Sequence, residues 1–304
     1  MLTEDEIKKY LKAGEIVHHA LNMALDIVEE GKSLLDIAEK LENDIINRGG
    51  KLAFPANISI NHIAAHYSPS VNDDKVIPRE SIVKVDLGAH VDGYIADAAI
   101  TISFNPEYEK LLTASRYALR NAERVIRPGK NLGVIGEVIE KTILKFGFKP
   151  IANLNGHKIE RFSLHAGKSV PNTSVFTFKK IGSHEVYAIE PFATDGEGYV
   201  IEGESGHIYQ IITMRRIKGY KDLDRFLKDI WREYRSLPFS ERWIYKKYGE
   251  EGLNKLNDLR EYKRTYLYHL LMDEAGGMVS QFEDTVIVTE KEVLITTNVL
   301  ELYR

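Results

Sequence analysis

The 304-residue chain has no cysteine, which excludes disulfides and thiolate chemistry and is compatible with a reducing compartment. No apolar run approaches the ~20 residues needed to span a bilayer. The start, Met1-Leu-Thr-Glu-Asp-Glu-Ile-Lys-Lys, carries mixed charge and lacks the apolar stretch of a signal peptide. The expectation is a cytoplasmic protein with no membrane partner. An excess of positive charge is also missing: 41 Lys and Arg face 45 Asp and Glu, for a net charge of −4. No global basic field therefore recommends nucleic acid as a specific partner. Glutamine is confined to Gln210 and Gln281, a Lys/Glu-over-amide bias that suits a thermophilic protein. No low-complexity tract or long linker appears. What remains is an ordinary soluble composition, 43% hydrophobic and 28% charged, long enough for one large domain or two average ones.

The stretch from Ile82 to Ile102 organises the chain. Two apolar strand runs, Ile82–Gly88 and Tyr94–Ile102, flank Asp92-Gly93, a strong hairpin signal. Each run contains an aspartate, Asp86 or Asp97, in a setting where aspartate is depleted. If Asp92-Gly93 is a two-residue turn, Asp86 pairs with Ala99, and Asp97 lies two residues short of that position. The two carboxylates then share a face as diagonal neighbours, roughly 7–8 Å apart at the backbone. Converging carboxylates in an apolar sheet repel, so one protonates or a cation sits between them. The bland alternative is one exposed sheet residue and one turn cap.

Along the chain, Thr3-Glu-Asp-Glu6 is a capping box opening an amphipathic helix that stops near Gly31. A second helix runs from Leu34 to Arg48, ending at Gly49-Gly50. Leu52–Phe54 and Ile58–His66 read as short strands. The layout then recurs: Asn105-Pro106 opens a helix to about Ile126, Pro128-Gly129 breaks it, Asn131 caps another, and Gly147 ends it. Sliding Gly31–Gly49 onto Gly129–Gly147 matches Lys32 with Lys130, Ile37 with Ile135, Glu42 with Glu140 and Ile45 with Ile143. Either two ordinary helices share similar caps, or a helix-helix-sheet unit is duplicated, with halves packing about a pseudo-twofold axis around a cleft. Beyond it, Lys149–Leu154, Glu185–Phe192, Tyr199–Glu202 and His207–Met214 read as strands, as do Thr285–Thr289 and Val293–Thr297. Residues 217–277 are charged, aromatic and read as a helical insertion into the second half. Their Lys, Arg, Tyr and Trp content fits nucleic-acid contact, or a solvated helical face lying over aromatic side chains.

Three more polar residues stand where a strand core expects apolar ones: His157 after Gly156, Glu190 in Ile-Glu-Pro, and Glu283 in Gln-Phe-Glu. Each alone has a dull reading as a turn or strand-end residue. With Asp86 and Asp97 they form four carboxylates and one imidazole, suited to hard or borderline divalent ions such as Mn, Co, Fe or Zn. Two divalent ions neutralise four carboxylates; one would leave two buried negative charges.

These motifs carry a resemblance. Asp-Leu-Gly-Ala-His-Val-Asp-Gly-Tyr-Ile-Ala-Asp from Asp86, Gly-His-Lys-Ile-Glu-Arg-Phe-Ser-Leu-His-Ala-Gly from Gly156, Ile-Glu-Pro and Gln-Phe-Glu together resemble the type II methionine aminopeptidases of the archaeal kind. The similarity extends over nearly the whole chain. It implies an α+β pita-bread fold: two pseudo-twofold-related halves of helices and antiparallel sheet around a di-metal cleft, with a helical insertion. It implies a single catalytic domain over 1–304, its halves about 1–104 and 105–304. By resemblance Asp86, Asp97, His157, Glu190 and Glu283 are ligands of two divalent metal ions, Asp97 and Glu283 bridging, and Glu190 also accepts the proton of the attacking water. His66 matches the family residue near the scissile amide, His165 the one that supports the oxyanion, and Phe54 an apolar wall of the methionine pocket.

The activity implied is excision of N-terminal methionine before small second residues, on nascent polypeptide N-termini, by a monomeric metalloprotease close to the ribosome. Family members usually follow the final glutamate with histidine; here Asp284 follows, either pointing away from the metals or altering their affinity. Two alternatives share the fold. One is a proline-specific aminopeptidase or dipeptidase; the other is a metal-less protein that binds RNA or the ribosome.

Overall fold

Thr3 and Glu6 exchange side-chain and backbone hydrogen bonds at the start of α1 (Glu4–Ile27), the capping box that Thr-Glu-Asp-Glu implies. In this computed structural model, which describes residues 1–303, Ser33 then caps α2 (Leu34–Asn47) by accepting from the Asp36 N–H. Short strands β1 (Lys51–Leu52), β2 (Asn57–Ile60) and β3 (Ile63–Ala65) lead to the long hairpin of β4 (Ile82–Val91) and β5 (Tyr94–Ser103). Its register follows from the turn: Val91 pairs with Tyr94, Gly88 with Asp97 and Asp86 with Ala99. Asp92 and Gly93 hold φ of 52° and 88°, left-handed at both central positions as a type I′ turn requires.

The second half opens the same way, with α3 (Glu109–Val125) and α4 (Leu132–Lys145). The repeat extends to individual backbone bonds. Gly31 N donates to Ile77 O and Ile77 N to Lys32 O; Gly129 N donates to Ile181 O and Ile181 N to Lys130 O. Leu34 N bonds Lys75 O as Leu132 N bonds Lys179 O, each at 3.0 Å. Each helix pair is thus laced to a loop far along its own half by an identical trio of bonds.

The remaining elements are β6 (Lys149–Pro150), β7 (Asn155–Ile159), β8 (Ser169–Pro171), β9 (Glu185–Ile189), β10 (Phe192–Thr194), β11 (Val200–Ile211), α5 (Lys221–Tyr234), β12 (Phe239–Ser240), α6 (Glu241–Glu261), β13 (Thr265–Asp273), β14 (Val279–Gln281), β15 (Asp284–Val288) and β16 (Val293–Ile295). Antiparallel sheets run in the orders β16-β15-β9-β7-β8, β12-β11-β13-β3 and β14-β10-β6, beside β4 flanked by β1, β2 and β5. The helices α1 to α4 bury their apolar faces (Val17, Leu21, Leu41, Leu119, Ile139) against the sheets in one continuous core. That burial is the main stabilising term, about 25 cal/mol per Å² of apolar surface removed from water.

Several elements differ from the sequence reading. The helical character assigned up to Gly277 ends at Glu261. Thr265–Asp273 is instead a strand along β11, its Tyr-Leu-Tyr-His-Leu-Leu alternation masked by the charged helices before it. The strands expected at Tyr199–Glu202 and His207–Met214 are one, β11, whose register slips between Glu202 and Ser205 and again before Ile208, around Gly203 and Gly206. Lys149–Leu154 contributes two strand residues, and His157 lies within a strand, which removes its dull reading as a turn residue.

Candidate metal centre

Ala99 is the hub of the site. It pairs with Asp86 across the hairpin and forms a second antiparallel bridge to Glu283, with bonds of 3.0 and 3.3 Å in the two directions. Two residues away, Thr285 Oγ donates to Asp97 O and accepts from Asp97 N. The hairpin of the first half and the β14–β15 segment of the second are thereby stitched together at the acids. From the other side, β7 presents His157 opposite Ala188 of β9, and Glu190 follows β9 directly.

The side chains meet. Ligand-type atoms of Asp97, His157 and Glu283 all lie within 4.8 Å of one another. His157 Nε2 stands 3.5 Å from both Asp97 Oδ2 and Glu190 Oε1. Asp97 is within hydrogen-bonding reach of both Asp86 and Glu283. Phe54, His66, Asp86, Asp97, His157, His165, Glu190 and Glu283, the eight residues to which the resemblance gives a ligand, catalytic or pocket role, line one pocket.

Burial and mutual repulsion dominate the electrostatics. Burial first, then the charge of Asp97, holds the Asp86 carboxyl well above the carboxylate range. Burial and the neighbouring Asp97 and Asp86 do the same to Glu190, and burial with Asp97, Glu190 and Asp86 to Glu283. Burial pushes Asp97 up to about 7, and depresses His157 to about 4. Asp86 Oδ1 and Glu283 Oε1 are buried with no hydrogen-bond partner. Uncompensated buried carboxylate oxygens facing a neutral imidazole fit divalent cations: the donors are hard, the imidazole is free to ligate, and positive charge removes the repulsion.

The other two histidines are prepared differently. His66 Nδ1 lies 3.2 Å from His269 O, and a carbonyl can only accept, so Nδ1 carries the proton and Nε2 is left as an acceptor. Burial lowers its pKa to about 4, keeping it neutral. His66 also adopts φ +68°, a left-handed backbone that costs a non-glycine residue of order 1–3 kcal/mol and persists where surroundings enforce it. His165 packs on His157 with ring centroids 4.3 Å apart, and burial lowers it to about 3.

Other wall residues were not singled out in the sequence. Gln281 Nε2 donates to Glu283 Oε2 at 2.9 Å; its signal was present, as one of two glutamines and inside a strand two residues from an acid. Asn57, Ile208, Pro238 and Tyr268 also line the pocket, and nothing local in sequence marks them. Asp284 resolves as the first of the two alternatives: it faces away from the pocket, accepting from Val299 N at 3.0 Å and from Thr297 Oγ, beside Glu123.

The chain matches the description of metallopeptidase family M24 over residues 8–290. It is 45% identical over 303 residues to a methionine aminopeptidase of Saccharolobus solfataricus, covering 98% of this chain and all of that one. It is 42% identical over 290 residues to a methionine aminopeptidase of Methanocaldococcus jannaschii, covering 95% of this chain and 98% of that one. Among solved structures, the methionine aminopeptidase of Thermotoga maritima superposes with TM-score 0.71 at 23% identity, covering 97% and 98% of the two chains. A prolidase from Pyrococcus furiosus superposes with TM-score 0.63 at 19% identity, covering 97% of this chain and 64% of that one. The α+β fold is the pita-bread fold these structures share.

Proposed function

The chain belongs to metallopeptidase family M24, and on that premise we propose that it is an aminopeptidase removing N-terminal methionine from newly made polypeptides. The convergence of Asp97, His157 and Glu283 within 4.8 Å, in a pocket that Asp86 and Glu190 also line, carries the reading. In it, Asp86, Asp97, His157, Glu190 and Glu283 would hold two divalent ions, of Co, Mn, Fe or Zn. Such a pair, when bound, makes water a nucleophile near neutral pH and polarises the scissile carbonyl.

The chain's own residues do the rest. Phe54 forms the apolar wall against the methionine side chain. Neutral His66 offers Nε2 as an acceptor to the N–H of the scissile amide, a role its Nδ1 bond to His269 O prepares. The Glu190 carboxylate takes the proton of the attacking water and returns it to the leaving amine. His165, neutral beside His157, donates to the oxygen of the tetrahedral species. Residues 1–304 act as one catalytic domain with halves of about 1–104 and 105–304, and 217–277 is an insertion. Small second residues are preferred, the enzyme works as a cytoplasmic monomer, and nascent N-termini near the ribosome are its substrates.

A Met-X peptide panel with divalent metal added, and with chelator, tests this. Methionine release from Met-Gly, Met-Ala and Met-Ser peptides, lost on chelation, is expected. Activity on X-Pro peptides without methionine release would reassign the chain to the proline-specific branch of the fold.

A further inference from the structure

Glu42 on α2 and Arg242 in the first turn of α6 form an ion pair at 2.8 Å, with side chains 7% and 6% exposed. The glutamate is fully engaged. Its Oε1 accepts from Ala56 N at 3.1 Å and Arg242 Nη2 at 2.8 Å; its Oε2 accepts from Arg242 Nη1 at 3.3 Å and Trp243 Nε1 at 2.9 Å. The guanidinium reaches on, donating from Nε to Pro69 O at 2.8 Å.

Two of the attachment points, Ala56 and Pro69, lie close along the chain to pocket residues, while Trp243 lines a separate cavity with Glu42 and Arg242. Ala56 lies between Phe54 and Asn57, both wall residues, and Pro69 is three residues beyond His66. On the opposite wall, Pro238 precedes β12, which pairs Ser240 with Ile208, another wall residue. Ser240 Oγ in turn accepts from Arg242 N, starting α6. One buried ion pair therefore connects the wall formed by Phe54, Asn57 and His66 to the wall formed by Ile208 and Pro238. The counterpart of Glu42 in the repeat, Glu140, instead accepts from Ser174 N near the surface, so the arginine arrives with the inserted segment. Buried ion pairs are often no more stable than apolar side chains of the same volume, whereas a forked guanidinium fixes direction as well as distance.

We propose that Glu42 and Arg242 are positioning residues: a clamp reaching from the inserted segment that sets the spacing of the two walls and thereby the selectivity of the pocket for the methionine side chain. The assignment rests on the aminopeptidase reading above. It gives residues 217–277 a task in the reaction, holding the substrate pocket to size.

The test uses the metal-loaded full chain and peptides X-Gly-Met-Met with X as Met, norleucine, Leu or Phe. Arg242→Lys keeps the charge and loses the fork; Glu42→Gln keeps an acceptor for Ala56 N and loses the charge. In both, KM for the Met peptide rises roughly tenfold or more, and the preference for Met over Leu falls by a similar factor, while metal content stays at the wild-type level. Glu185→Gln, which breaks a different ion pair away from the pocket, is the control and lowers stability without moving KM or selectivity. If either clamp variant fails to fold, the Glu42→Leu/Arg242→Met double variant, which removes both charges together, decides. Variants that lose thermal stability yet keep wild-type KM and the Met/Leu ratio would overturn the clamp. Absence of methionine release by the unaltered enzyme would instead sink the aminopeptidase reading, and the variants would then be compared on the metal-dependent substrate that it does cleave.

Discussion

Gly88 lies under the ring of Phe54, so close that a Cβ on the glycine would stand 2.1 Å from Phe54 Cε1. The glycine pairs with Asp97, so a proposed ligand position and the pocket wall are fitted through the same residue. Gly88→Ala therefore drives Phe54 toward the pocket. KM for Met-Gly peptides should rise on the order of tenfold with metal content unchanged, measured by steady-state kinetics and metal analysis. Unaltered KM would show that the ring has somewhere else to go.

Gly206 stands in the same relation to His66. A Cβ there would meet His66 O at 2.2 Å, and backbone cannot yield as a side-chain tip can. Gly206→Ala displaces the left-handed His66 and should lower kcat/KM by roughly a hundredfold. Thermal unfolding should show a smaller effect than kinetics. A variant with normal turnover would remove His66 from the reaction.

Glu283→Gln removes a proposed ligand without emptying core volume. Circular dichroism should be unchanged, while metal affinity and turnover fall by more than the roughly 10–100-fold that outer-shell changes cost. Titration calorimetry and peptide cleavage read the two. Chelation of the unaltered enzyme should also lower the unfolding midpoint, since a ligand bound to the folded state at 100 times its Kd contributes about 2.7 kcal/mol.

Glu185 sets a pH-dependent share of stability outside the pocket. Burial opposes its ionisation, but donors from Lys168, Tyr187, Gly182 N and Lys158 outweigh that and hold the carboxyl down at about 2. A depressed carboxyl stabilises the folded state above its unfolded value of about 4.5, and the contribution is lost as pH falls from there toward 2. Glu185→Gln should cost about 1–2 kcal/mol at pH 7 after discounting for solvent screening. Denaturant titrations of the two proteins should converge by about pH 2. A gap that persists undiminished at that pH would contradict the assignment.

Local chemistry made much of this molecule legible in advance. Asp92-Gly93 fixes a two-residue turn, the turn fixes the register, and the register sets Asp86 and Asp97 on one face. The caps at Thr3, Ser33 and Asn131 bounded helices by side-chain bonds a few residues long. Failures came where the deciding partner is distant. Thr265–Asp273 is a strand because β11 and β3 flank it, not because of its neighbours in sequence. The alternative of His157 as a turn residue falls only when β9 is beside it. The bond between Glu42 and Arg242 joins two unremarkable helix positions, and no spacing rule links them. The close approach of the His66 carbonyl to Gly206 likewise joins positions that no local pattern links.

The seam at Ala99 bears on how a working molecule comes into being. Its two flanking acids, Asp86 and Glu283, lie far apart in sequence, so the whole stretch between them has to be made before they can meet. A copy cut ahead of β7 holds both hairpin aspartates and lacks His157, Glu190 and Glu283 together. On the ligand set proposed above, such a fragment is expected to be silent and not merely feeble.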